Sequence, residues 1–150
     1  ALYEDMYVKE YLSFIAAGHE IKNPTNRIQE VIEQTGLGLM QTKKINQLSK
    51  GYKQRIGMAA AIIHSPILLI LDEPTAGLDP NQLTEIRALI KSLSANAMIL
   101  FSTHILQEVT AICDRVLVLN KGKLVANDRI ADLAQKHEAG LEEIFKMLTH

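Results

Sequence analysis

Tryptophan is absent from the 150 residues, aromatic residues make up only 5% of the chain, and cysteine occurs once. Single-stranded nucleic acids bind by stacking on aromatic side chains, so a stacking platform is not expected here. Cys113 has no second cysteine to pair with, which excludes an internal disulfide and a zinc site built from thiolates. The formal net charge of -1 gives no basic excess, and we expect no nucleic-acid partner.

Long apolar runs are missing as well. The longest, residues 67–71, is far shorter than the roughly eighteen residues of a membrane span, and it predicts a buried strand instead. The start of the chain has charged residues where a signal peptide would be apolar. Five histidines are scattered without the spacing of a metal-ligand pair on one helix. An apolar content of 47% is that of an ordinary globular domain.

Hydrophobic periodicity predicts two kinds of structure along the chain. Up to residue 64 the apolar spacing is helical, whereas from Pro66 apolar strands alternate with helices, which indicates an α/β layer architecture. A strand as continuously apolar as residues 67–71 is typical of a parallel sheet covered on both faces. The predicted helices cover about 8–17, 28–35, 52–64, 80–93, 106–113, 128–136 and 141–148, and the predicted strands cover 67–71, 97–101, 116–119 and 124–126, with a hairpin turn at 120–123.

Two carboxylates follow the first predicted strand. Asp72 and Glu73 would lie at the carboxyl edge of a parallel sheet, which is where α/β proteins bind ligands. Asp72 is a candidate Mg²⁺ ligand, and Glu73 is a candidate for orienting or deprotonating a water molecule. A strand end that simply reaches solvent explains the same residues equally well.

Two further polar positions are ambiguous in isolation. His104 follows the second predicted strand and is placed to donate to a phosphate oxygen, but Ser102 or Thr103 could simply cap the next helix. Asp79 before Pro80 is fully explained as the N-cap of a helix. Neither position indicates a function without independent support.

The start of the third predicted helix is a candidate anion site. Ser49 and Gly51 precede the helix, where free N–H groups and the helix dipole favour anions, and Lys50 adds positive charge. Taken alone, an ordinary Ser-capped helix is the better explanation, because basic residues in a first turn oppose the dipole.

Taken together, these segments resemble the ATP-binding-cassette (ABC) ATPase family in order and spacing. Residues 48–52 look like its LSGGQ signature and residues 68–73 like its Walker B strand with the catalytic glutamate. Residues 76–79 look like its D-loop and residues 102–104 like its H-loop. The resemblance covers nearly the whole chain. It implies the C-terminal half of a P-loop NTPase (RecA-like) core with parallel strands, plus an α-helical subdomain.

The resemblance also implies domain limits. Residues 1–64 would form the helical subdomain that ends in the signature helix, and this subdomain is where a membrane permease would dock. Residues 65–127 would form the second half of the core, and residues 128–150 would form C-terminal helices.

The same resemblance assigns a role to each candidate residue. Glu73 would be the catalytic base and His104 would contact the γ-phosphate, while Asp72 would hold Mg²⁺. In a head-to-tail dimer with a second nucleotide-binding subunit, ATP would be bound in trans by the remaining residues, which are Ser49, Lys50, Gly51, Tyr52 and Asp79. The protein would be cytoplasmic, peripheral on the inner face of the cell membrane.

Two departures from the family pattern carry information. Lys50 and Tyr52 replace the signature's Gly and Gln, a variant that resembles the exporter-type branch serving antibiotic efflux and gliding motility.

No G-x-x-x-x-G-K-[ST] motif occurs in the sequence. We therefore expect a C-terminal part of an ABC ATPase that does not hydrolyse ATP by itself. Because its Walker B strand would lack a neighbour, we also expect self-association through an exposed edge.

Two other functions remain open at this point. A permease-free ABC-type ATPase, such as a translation factor or a DNA-repair ATPase, would carry the same motifs. A regulatory module that kept the fold and lost catalysis is the third alternative, although the presence of Asp72, Glu73 and His104 argues against it.

Overall fold

The computed structural model describes residues 2–149, which form two compact units, one ending at Ser102 and one beginning at Thr103. The first unit contains four helices and two strands, and the second contains three helices and two strands. In chain order the elements are α1 (Val8–Gly18), α2 (Pro24–Gln34), α3 (Lys50–Ile62), β1 (Leu68–Asp72), α4 (Pro80–Leu93), β2 (Met98–Ser102), α5 (Leu106–Ile112), β3 (Arg115–Asn120), β4 (Lys123–Arg129), α6 (Ile130–His137) and α7 (Leu141–Thr149).

Helices α1, α2 and α3 pack against one another at the start of the first unit. Each helix buries apolar side chains at helical spacing, among them Leu12, Ile32 and Ile56, all of which have no exposed surface. Carbonyl groups at the end of α3 receive hydrogen bonds from α2. The Arg27 guanidinium donates to the Ile62 and Ile63 carbonyls at 2.7 and 2.9 Å. Two short 3-10 turns, Gly38–Met40 and Ile45–Gln47, connect α2 to α3.

Strands β1 and β2 are parallel and are joined through α4. Their register places Asp72 beside Ser102 at the carboxyl end of both strands. Helix α4 begins at Pro80, with the Asp79 carboxylate accepting from the backbone N–H groups of Asn81 and Gln82 at 3.0 and 2.9 Å. The predicted parallel strands are therefore confirmed, and their register brings two polar strand ends together.

The expectation that β1 is covered on both faces is wrong for this chain. Leu69 is 3% exposed, whereas Leu68 and Ile70, on the opposite face, are 46% and 67% exposed. The in-register neighbours Met98 and Leu100 are 71% and 46% exposed. Within residues 2–149, β1 pairs with β2 alone, so nothing extends the sheet or shields this side. We call Leu68, Ile70, Met98 and Leu100 the apolar sheet face.

The second unit is built on an antiparallel pair, β3 and β4. The predicted hairpin turn is confirmed: Lys121 and Gly122 form a two-residue connection with φ of 48° and 76°. Two adjacent residues with positive φ match the right-handed twist of a hairpin. Helix α7 contacts β3, α5 and α6, and Val118, Leu133 and Ile144 are buried.

Candidate functional site

The carboxyl end of β1 holds Asp72 and Glu73, and a third residue connects them. The Ser102 hydroxyl donates to Asp72 Oδ1 at 2.5 Å and accepts from the Glu73 backbone N–H at 3.0 Å. Asp72 and Glu73 are both exposed to solvent. The sequence predicts for Ser102 only a helix cap or, by resemblance, a place in the H-loop. Strands β1 and β2 each end on a polar residue, and this pattern is the sequence signal that would have indicated the role of Ser102.

The backbone turns sharply at Glu73. Its φ of 41° lies in the left-handed region, which a non-glycine residue adopts at a cost of about 1–3 kcal/mol. The Glu73 carbonyl accepts from the Ala76 N–H at 3.1 Å, and the next residues, Pro74 and Thr75, are buried. The turn is thus fixed at both sides of Glu73, and strained residues of this kind are common at functional sites.

The signature segment forms the start of α3, two residues earlier than predicted. Ser49 is the N-cap, and its hydroxyl oxygen accepts from the Tyr52 N–H at 3.5 Å. Gly51 is buried against the Gln82 side chain of α4, where an added Cβ would lie 3.0 Å from Gln82 Cδ. Gly51 therefore allows α3 and α4 to approach closely at their first turns.

Lys50 reaches from the signature segment to the loop before α4. Its ammonium group lies against Gly77, so close that a Cβ on that residue would overlap it. Gly77 has φ of 69°, so glycine is favoured there by backbone conformation as well as by space. The structure brings the predicted signature and D-loop segments into contact within one chain.

Arg55 connects three helices in the first unit. Its guanidinium donates to the Thr35 carbonyl at the end of α2 at 2.9 Å and pairs with the Glu85 carboxylate of α4 at 2.5 Å. The Arg55 side chain is 14% exposed and Thr35 is buried, whereas the Glu85 side chain is 62% exposed, so the contact with Thr35 is the better shielded of the two. Arg55 therefore joins the signature helix to α2 and α4, a role beyond the positive charge that the sequence indicates for it.

We expect Arg55→Ala to lower the free energy of unfolding by about 1–3 kcal/mol, because it leaves the carbonyl of the buried Thr35 without its charged donor. Urea unfolding followed by circular dichroism measures the change. Lys22→Ala is the matched control, since Lys22 is exposed in a turn and its loss should cost less than about 0.5 kcal/mol. Equal midpoints for the two variants would contradict a connecting role for Arg55.

His104 belongs to the second unit and follows Thr103. The Thr103 hydroxyl accepts from the Ile105 N–H at 3.1 Å and donates to the buried Glu108 carboxylate at 2.9 Å. The N-cap residue of α5 is Ile105, and this helix has no side-chain cap. Thr103 bonds to the N–H of Ile105 itself, so the helix cap by Ser102 or Thr103 that the sequence left open as an alternative is not formed. The catalytic role of His104 stays a prediction.

Cys113 offers no reactive thiolate. Burial raises the pKa of its thiol to about 11, and the neighbouring Asp114 and Glu108 carboxylates add to the rise. At neutral pH the thiol is protonated, and a protonated thiol is a poor nucleophile and a poor metal ligand. No group of three or more potential metal ligands from His, Cys, Asp and Glu occurs within residues 2–149.

Of the predicted site residues, the structure places two groups in the first unit. Asp72 and Glu73 are held by Ser102 at the sheet edge. The first turn of α3 and its cap contain Ser49, Lys50, Gly51 and Tyr52. Asp79 caps α4, the helix whose Gln82 side chain lies against Gly51. Among the described helices, none has both the length and the apolar composition that crossing a membrane requires.

Comparison with a solved structure defines the class of protein. The structure of an ATP-binding subunit of an ABC transporter superimposes on this chain with a TM-score of 0.83 and 28% sequence identity. The match covers 100% of this chain and 65% of the other. The fold is therefore that of an ABC nucleotide-binding subunit, a P-loop NTPase fold, as the sequence predicted.

Sequence comparisons give the family. The ABC transporter family profile matches residues 2–76, so the chain belongs to the ABC transporter family. An ABC transporter ATP-binding protein of Bacillus subtilis is 40% identical, over 90% of this chain and 44% of its own length. The bacitracin transport ATP-binding protein of Bacillus licheniformis is 43% identical, over 78% of this chain and 39% of its own length. The chain thus spans less than half the length of these relatives.

Proposed function

We propose that this chain is the signature and Walker B part of an ATP-hydrolysing subunit that powers a membrane permease. The observation that carries the proposal is the arrangement of Asp72, Ser102 and Glu73 at the carboxyl end of β1 in a chain of the ABC transporter family. The catalytic assignments rest on this geometry and on the family motifs.

The donor set at Asp72 fits Mg²⁺. Magnesium in nucleotide sites is held by one or two carboxylates together with phosphate oxygens and water, and Asp72 is exposed with oxygen lone pairs beyond the one that Ser102 occupies. When bound, the ion neutralises charge on the transferred phosphate. Asp72 is the proposed ligand, and Glu73, which follows it at the strained turn, orients and deprotonates the attacking water.

The remaining site residues act across a dimer in this proposal. A head-to-tail pair with a second nucleotide-binding subunit places Ser49, Lys50, Gly51 and Tyr52 on the γ-phosphate of the partner's ATP. Support comes from the geometry of α3, whose first turn has a Ser cap and a cation nearby. In the same proposal Asp79 links the two sites, and His104 stabilises charge on the γ-phosphate.

The partners and location follow from the same proposal. The domain limits are those expected from the sequence, with residues 1–64 as the helical subdomain that meets the permease. Export is the proposed direction, supported by the Lys50 and Tyr52 variant of the signature and by the similarity to a protein named for bacitracin transport. The assembly lies on the cytoplasmic face of the membrane.

For the isolated 150-residue chain we propose self-association through the apolar sheet face and the free edge of β1.

The test is ATP hydrolysis by what we call the extended protein, which is this chain together with the upstream sequence of its gene. We expect saturable, Mg²⁺-dependent phosphate release from the extended protein and none from the 150-residue chain alone, which has no P-loop motif. An extended protein that binds MgATP without releasing phosphate would replace the ATPase with a regulatory module. ATP turnover by the 150-residue chain alone would refute the proposal that hydrolysis requires the upstream part of the protein.

A further inference from the structure

Ser102 makes two hydrogen bonds that converge on the candidate catalytic residues. Its single hydroxyl proton goes to Asp72 Oδ1, and its oxygen accepts from the Glu73 N–H. One side chain from β2 therefore fixes the carboxylate at the end of β1 and the backbone of the residue that follows. The parallel register, with Ser102 directly beside Asp72, makes both bonds possible.

The bond to the Glu73 backbone has a particular consequence. Glu73 has a left-handed φ of 41°, and the following Pro74 further restricts the conformations open to it. A strained residue persists only where its surroundings hold it. The Ser102 oxygen bonds to the Glu73 N–H, and the Glu73 carbonyl bonds to the Ala76 N–H, so the backbone is held on both sides of this residue. Without the hydroxyl, the direction of the Glu73 side chain is less well defined.

A purely structural role at the start of α5 does not explain Ser102. The hydroxyl that bonds to the backbone there is that of Thr103, which accepts from the N–H of Ile105, the residue before the helix. Ser102 is exposed and its oxygen is directed to the carboxylate edge of the sheet. The two adjacent hydroxyls thus have separate partners.

We propose that Ser102 is a positioning residue for ATP hydrolysis, acting through the Asp72 carboxylate and the Glu73 backbone. This inference rests on the proposed function, since the positions that it fixes matter only if Asp72 and Glu73 are catalytic. Groups that orient a metal ligand typically contribute 10–100-fold to activity or metal affinity, which sets the size of the expected effect at about that range.

The activity test uses three variants of the extended protein. Ser102→Thr keeps the hydroxyl. Ser102→Val matches the shape of the threonine variant but has no hydroxyl, and Ser102→Ala removes the hydroxyl without adding bulk. We expect the Thr variant to retain most of the turnover and the Val and Ala variants to lose about 10–100-fold in kcat. The KM for MgATP should change little, because the hydroxyl does not itself contact the nucleotide. Ser94→Ala, at the exposed end of α4, is the control.

A second measurement separates the hydrogen bond from catalysis. In the 150-residue chain, the temperature coefficient of the Glu73 amide proton should indicate a hydrogen-bonded N–H in the parent and in Ser102→Thr, and a free one in Ser102→Val. A coefficient that is the same in all three would overturn the proposal. So would equal turnover of the Thr and Val variants of the extended protein. The Glu73 amide coefficient could change as expected while the extended protein releases no phosphate. That result would confirm the hydrogen bond but contradict the proposed function, and with it the positioning role of Ser102.

Discussion

Replacing Glu73 by glutamine in the extended protein is expected to lower ATP turnover by about 10²–10⁴-fold, the range that a positioned general base contributes. The amide has nearly the shape of the carboxylate but cannot accept the proton of the attacking water. The backbone at Glu73, with its N–H bonded to Ser102, is unaffected by the change of side chain. Steady-state phosphate release at saturating MgATP measures the effect.

Two controls make this result specific. Glu142→Gln alters an exposed glutamate in the first turn of α7 and should leave turnover unchanged. Binding of a fluorescent ATP analogue to the Glu73→Gln protein should persist, since the substitution removes a step of the reaction and not a contact needed for binding. Turnover that is indifferent to Glu73 would require the catalytic assignment of that residue to be withdrawn.

Much of the fold could be predicted because local signals and tertiary structure agree. The Asp79-Pro80 pair marks the start of α4 at the residue observed, and the apolar runs mark β1 and β2 to within one residue. The start of α2 was harder to predict. The helix predicted from residue 28 begins four residues earlier, because Pro24 occupies its first turn after Asn23 in a left-handed conformation.

The contacts within the site could not be predicted in the same way. The bonds from Ser102 depend on the register between β1 and β2, which no local pattern specifies. The contact of Lys50 with Gly77 and the two partners of Arg55 likewise join segments that are distant in sequence. The sequence therefore identified the residue types of the site, whereas the residues that position them emerge from tertiary structure.

The covering of β1 was predicted wrongly for a different reason. An apolar run indicates that a strand tends to be buried, but burial also needs a partner surface. Within residues 2–149 the side of the sheet carrying Ile70 has none. The relatives are more than twice as long as their matched part, which leaves room in the extended protein for a covering segment.

For the isolated chain, we expect this uncovered side to drive self-association. The apolar sheet face has four large side chains, each at least 46% exposed, beside a strand edge whose N–H and C=O groups have no partner strand among the residues described. Exposed, apolar edge strands readily pair with other chains. A second copy of the chain presents the same apolar sheet face, so a symmetric pair that stacks the two faces would cover both of them.

Ile70→Lys should weaken this association strongly. Burying an isoleucine contributes about 1.5–3 kcal/mol, and a symmetric interface contains the residue twice. The dissociation constant should therefore rise by about 10²–10⁴-fold, as sedimentation velocity over a concentration series would show. Leu39→Lys is the matched control, because Leu39 is 87% exposed but lies in the connection between α2 and α3. A monomeric parent chain at high concentration, or equal effects of the two substitutions, would contradict association through this face.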